Sequence, residues 1–148
     1  MHHKVSQVLA LMFVLSLVGC TSFTPGPRKT TAAQPAAGKA TVVGRVTTTS
    51  GAPITDTPVR LSEVYRGENQ SPEGIFVLDG AQSPGAMTSE DGQFVIADVE
   101  AREYVLVVGD VQGEHTIIVD EAGKARVWNA EPDKVLDVGE LKIDKTNG

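Results

Sequence analysis

The stretch Thr88–Val99, "TSEDGQFVIADV", decides the fold. Asp91-Gly92 is a turn signal, because glycine enters left-handed backbone angles without the penalty a Cβ carries. Phe94 and Ile96 follow at a spacing of two. That is the period at which strand side chains return to one face, so both residues should look into a core. The same pattern recurs on either side. "TVVGRVTT" (41–48) sets Val42, Gly44 and Val46 on one face, and "SGAP" (50–53) makes a turn. "PVRLSEVY" (58–65) alternates Val59 and Leu61, then Glu63 or Tyr65. Pro58 stands at the strand entrance, where a missing N–H is tolerated. "EYVLVVGD" (103–110) puts Tyr104, Leu106 and Val108 on one side. "EHTIIVD" (114–120), "ARVWNA" (125–130) and "VLDVGELKI" (135–143) complete the series. No window of eleven or more residues carries helical periodicity. Short strands separated by turns every eight to twelve positions predict an all-β fold, an antiparallel Greek-key-type β-sandwich of seven to nine strands.

The chain before these strands is of another kind. Lys4 precedes an uncharged run from Val5 to Gly19 that ends at Cys20, the chain's one cysteine. As a helix, fifteen residues would rise only about 22 Å, short of a hydrocarbon core of about 30 Å. A positive start, a short apolar centre and small residues at its end predict a secretory signal peptide over 1–19. Thr21–Lys39, "TSFTPGPRKTTAAQPAAGK", is rich in Thr, Pro, Ala and Gly without apolar periodicity, and reads as a flexible linker. The expected organisation is signal peptide 1–19, Cys20 with its linker over 20–39, sandwich 40–144 and a tail 145–148.

Leu17-Val18-Gly19-Cys20 resembles the lipobox of bacterial lipoproteins. The resemblance implies that the Cys20 thiol receives a diacylglyceryl group, palmitate among its acyl chains, and that a peptidase cuts before it. A lipid anchor at the membrane, facing away from the cytoplasm, would follow. In a host with two membranes, Thr21 resembles an outer-membrane sorting signal.

Charge is uneven. All 19 acidic residues lie at or after Asp56, and four of the 13 basic ones precede residue 40, so the segment from Ala40 onward carries −10. Such a surface repels phosphate backbones and argues against nucleic acid as a partner. With a single cysteine the exported domain has no disulfide to form and must rest on core packing.

In order along the chain come "VxGxV" (42–46), "GxPI" (51–54), "VxL" (59–61), "TxxDGxFxIxxV" (88–99) and "YxLxV" (104–108). Together they resemble the carboxypeptidase regulatory-like domain, a transthyretin-like sandwich, over about residues 40–143. The resemblance implies that fold and no particular activity. Two departures stand out. The family's Pro-Gly turn before the tyrosine is replaced by Ala101-Arg102, so either the turn avoids a positive φ or Arg102 is strained. "RGENQSPEGIFVLDGAQSPGAM" (66–87) is an insertion with its own apolar run, Ile75–Leu78, and is expected to form an extra hairpin.

Residues able to carry chemistry are few. His115 is the one histidine after Cys20, and no nucleophile-elbow Gly-x-Ser-x-Gly occurs. One histidine with no second cysteine falls short of a zinc ligand set. Glu90-Asp91, Asp110 with Glu114, and Asp120-Glu121 are acidic, but they sit in turns without EF-hand spacing. Tyr65-Arg66-Gly67 resembles the C-terminal motif of transthyretin-related hydroxyisourate hydrolases only by chance, since it lies mid-chain without that family's histidines. These readings lead to no enzyme, no metal and no cofactor. The expected role is a lipid-anchored module that contacts an envelope protein. The alternative is a small ligand or carbohydrate bound through the 66–87 hairpin. For that role Trp128, Tyr65 and Phe76 are the aromatic candidates to stack on a sugar. A lone tryptophan in a small sandwich also reads as core.

Overall fold

The computed structural model describes residues 34–67 and 74–144. The signal peptide, Cys20, most of the linker and the tail lie outside the described residues. Nine strands are present among the described residues: β1 (Lys39–Thr48), β2 (Pro58–Tyr65), β3 (Ile75–Val77), β4 (Gly85–Met87), β5 (Gln93–Glu100), β6 (Glu103–Gly109), β7 (His115–Ile117), β8 (Val127–Asn129) and β9 (Val135–Ile143). They form two sheets and an all-β sandwich. One sheet has three strands in the order β5-β1-β9. The other has six, with the path β3-β2-β6-β7, β4 beside β2 and β8 beside β6. All pairs are antiparallel except β1 with β9, which run parallel.

The period-two pattern becomes the core. Val42, Val46, Phe94, Ile96, Val138 and Leu141 from the narrow sheet pack with Val59, Leu61, Tyr104, Leu106, Val108 and Trp128 from the wide one. Each such burial is worth about 1.5–3 kcal/mol relative to exposure. Gly44 lies opposite Phe94 in the β1–β5 register. A Cβ on Gly44 would fall 2.6 Å from Val138 Cγ2 and 2.8 Å from Phe94 Cζ, so the missing side chain is what lets that ring close onto β1.

Three turns position the surfaces described next. At Asp91-Gly92, Gly92 has φ +78, and the carboxylate of Asp91 accepts from Ser89 Oγ (2.6 Å) and Gln93 Nε2 (2.7 Å). The turn joins β4 of one sheet to β5 of the other. The Ala101-Arg102 turn contains no positive φ, so Arg102 is unstrained. Asp98, within β5, takes φ 52 instead, where the β1–β5 register slips between Ala40 and Val42. Its Oδ1 accepts from Ala36 N (2.8 Å), and Asp133 Oδ1 accepts from Gly38 N (2.7 Å), so contacts to the sandwich begin shortly before β1.

The insertion does form strands, but β3 and β4 do not pair with each other as an independent hairpin. β3 runs along the end of β2 and β4 along its start. Between them residues 78–84 leave the sheet edge in a turn closed by Ser83 N to Asp79 O (2.9 Å). The reason is that each three-residue strand is too short to stand alone and gains its ladder from β2.

Candidate functional site

Two surfaces arise around the insertion, on opposite faces of the wide sheet. Residues directly opposite in a register point to the same face. Glu63 lies opposite both Val77 and Tyr104, and Tyr104 lies opposite Trp128. Tyr65 lies opposite Ile75. All six therefore share the inward face. Tyr104 and Trp128 are buried in the core, yet at the β3 edge the same face is open: Ile75 is 73% exposed, Tyr65 54% and Val77 53%. The result is a shelf, an apolar inner face that continues past the cover of the opposing sheet.

Charged groups hold the shelf in shape. Glu63 Oε2 accepts from Tyr65 Oη (2.7 Å) and from Arg102 Nη1 (2.7 Å). Because the Tyr65 hydroxyl reaches back along its own strand, its ring lies along the sheet. Hydrogen bonding to Glu63 raises the Tyr65 pKa and also that of Arg102. Arg66 braces the strand end from beside the shelf through a two-point contact with Glu103, Nε to Oε2 at 2.6 Å and Nη2 to Oε1 at 3.0 Å. The hydrogen bond from Arg66 lowers the Glu103 pKa.

The second surface is a cleft of about 610 Å³ between the 78–84 loop and the β6–β7 turn. Arg60 points to the face opposite Val59 and Leu61. Its Nη1 donates to Ser83 O (3.2 Å), and Leu61 N donates to Pro84 O (2.8 Å), which pins the loop to β2. Asp79 Oδ1 accepts from Ala81 N (2.8 Å) and Gln82 N (3.2 Å). Across the cleft, Asp110 Oδ1 accepts from Gln112 N (2.9 Å) and Asp110 N donates to Glu114 O (3.0 Å). The two walls come close: a Cβ on Gly80 would sit 2.8 Å from Val111 Cγ2. Arg60, Asp79, Asp110 and Gln112 supply the polar lining.

The three aromatic candidates are not brought together. Trp128 is 7% exposed, part of the core, with the Arg126 guanidinium 4.8 Å from its ring centroid. Tyr65 is on the shelf. Phe76 lies opposite Val64, on the other face from Tyr65, and is half-buried. His115 is exposed at the start of β7. Asp110 and Asp120 bond the amides of their own turns, and no group of three or more His, Cys, Asp or Glu placed to hold a metal occurs among the described residues. Sequence reasoning gave no site role to Glu63 and Arg102 on the shelf or to Arg60, Asp79 and Gln112 in the cleft, and it read Asp110 only as an acidic turn residue. Arg102 did carry a signal, since it stands where the resembled family has glycine.

The sequence matches no protein-family model and no curated protein. Solved structures align with it at TM-scores below 0.5. A 9R-lipoxygenase from Cyanothece PCC8801 aligns at 10% identity and TM-score 0.39 over 75% of this chain, which spans only 18% of that enzyme. The dioxygenase domain of a dioxygenase–carbohydrate-binding protein fusion from Streptomyces sp. SirexAA-E aligns at 15% identity and TM-score 0.42, covering 77% of this chain and 84% of that one. A proposed carbohydrate-binding protein from Pseudomonas aeruginosa aligns at 16% identity and TM-score 0.42, covering 75% and 92%. At these identities the likeness concerns the fold alone. The expectation that the chain is not an enzyme is withdrawn, since the structures that align include a lipoxygenase and a dioxygenase domain. The physical reason is that loops can graft catalytic groups onto one scaffold from distant points in the chain, so a missing linear motif does not exclude catalysis.

Proposed function

We propose that this chain is an envelope lipoprotein, anchored through Cys20, whose carboxypeptidase regulatory-like sandwich binds a protein partner on the β2–β3 shelf. One observation carries the reading. Ile75 and Val77 on β3, with Tyr65 beside them at the end of β2, form a contiguous apolar surface, each more than half exposed, and β3 is an edge strand among the described residues. The anchor would keep the domain at the membrane surface, where a partner is met at high local concentration.

The test is in-cell photo-crosslinking of the lipidated protein with the probe at position 75. A defined protein adduct, lost on Val77→Asp, is the expected result. Recovery of membrane lipid alone would sink the reading. The anchor has its own check: Cys20→Ala should abolish labelling by a palmitate analogue, and equal labelling of the variant would refute lipidation at that thiol. A second reading, small-ligand or carbohydrate binding, is favoured by the cleft that the insertion builds against the 110–113 turn.

A further inference from the structure

We propose that the cleft between the 78–84 loop and the β6–β7 turn binds a neutral, hydroxyl-rich ligand, a saccharide unit or a polyol, held by Arg60, Asp79 and Asp110. This rests on the reading of the cleft as a small-ligand site and adds the ligand's chemical class. The cleft, at about 610 Å³, falls within the range of about 300–1,000 Å³ usual for small-molecule sites.

The class follows from the lining. Asp79 and Asp110 are acceptors, and Arg60 is a donor only. An anion would meet two carboxylates. A cation would find those carboxylates but would face the Arg60 guanidinium. A hydroxyl both donates and accepts, so a polyhydroxylated molecule can hydrogen-bond all three groups without bringing a charge of its own into the cleft. Gln112 adds a carboxamide that can do either. Leu78 and Val111 offer apolar surface to the carbon-bound hydrogens of such a ligand. The polar groups are also already held in place, Arg60 by Ser83 O, Asp79 by two amides and Asp110 by one. Binding then spends little free energy on ordering them.

The experiment uses the full chain, labelled at Leu and Val methyl groups and titrated by NMR. The probes are glucose, sorbitol, glucosamine as the cationic analogue and glucuronate as the anionic one. Glucose or sorbitol is expected to shift the Leu78 and Val111 signals with the tightest binding, a preference for glucose marking a saccharide ring. Glucuronate is expected to bind weakest. Asp110→Asn and Arg60→Lys should each weaken the neutral probe about tenfold or more, the scale of one charge-assisted hydrogen bond. Unchanged Val42 and Val46 signals will show that these variants fold. Tighter binding of glucosamine or glucuronate in the cleft would overturn the assigned class while leaving a small-ligand site. No shift at Leu78 or Val111 with any probe would overturn both.

Discussion

Gly44→Ala should destabilise the sandwich although the backbone accepts alanine there, since Gly44 has no left-handed φ. The new Cβ would lie 2.6 Å from Val138 Cγ2 and 2.8 and 2.9 Å from Phe94 Cζ and Cε1. Neither neighbour is a flexible tip at the surface: Phe94 is 2% exposed and Val138 7%. Overpacking of this kind costs about 1–3 kcal/mol. Alanine offsets about 0.4–1 kcal/mol of that by restricting the unfolded chain. A net loss of about 1.5 kcal/mol is expected, or about 6–12 °C in Tm for a domain of this size. Differential scanning calorimetry or urea unfolding measures it. The steric cause is isolated by a double-mutant cycle with Val138→Ala, which removes the first atom struck. That change alone should cost about 2 kcal/mol, yet the double variant should be less destabilised than the sum by about 1 kcal/mol or more. A Gly44→Ala protein as stable as the parent, or an additive cycle, would refute the reasoning.

Three further outcomes follow from the charges and faces. Asp91 is held below the usual aspartate range, by the Ser89 hydroxyl first, with backbone amides and Arg45 adding to it. The stability it lends is therefore present above the ordinary aspartate pKa and lost as pH falls through the folded value. Between about pH 5 and about pH 2 the parent Tm should fall more than that of Asp91→Asn, and parallel curves would contradict this. Tyr104, buried and donating to Glu100 O at 2.9 Å, is pushed up to about 12 by burial. The linkage has the opposite sense: its stabilisation holds below the unfolded value of about 10 and is lost as pH rises through the folded one. Ultraviolet titration of Tyr65→Phe should show a phenolate midpoint at about pH 12, and a midpoint near pH 10 in a folded protein would count against it. Finally, Asp110→Asn should leave crosslinking from position 75 unchanged, because the cleft and the shelf use opposite faces of the sheet. Loss of the adduct would mean that β2 couples them.

The faces of the strands could be read from the sequence because side-chain alternation is a local property. Val42 with Val46, Phe94 with Ile96, and Leu106 with Val108 needed no knowledge of their partners. Pairing is not local. The parallel β1–β9 ladder joins the two ends of the domain, and nothing near Val42 or Leu136 encodes it. Trp128 was ambiguous because its strand is three residues long, and its depth is decided by Tyr104 across the ladder. The site was less legible than the fold. Tyr65 could be picked out as an aromatic candidate, but Glu63 and Arg102 join it through hydrogen bonds that link β2 to the turn before β6. Arg60, Asp79 and Asp110 each look like an ordinary strand or turn charge, and they meet because the insertion turns back onto the sheet.

That return also explains how one short insertion serves two surfaces. β2 alternates, so Glu63 and Tyr65 look inward while Arg60 looks outward. β3 widens the inward face beyond the reach of the three-stranded sheet, and its Ile75 and Val77 stay exposed because no opposing strand among the described residues covers them. The chain then leaves the edge before β4 can continue the ladder. The loop it forms has Asp79 and Ser83 satisfying one another's backbone groups, so it keeps its shape while standing off the sheet. Standing off is what opens the cleft against Val111. A sandwich with a tight β2–β4 connection would have neither the exposed row nor the second wall, so the insertion is what creates both candidate surfaces.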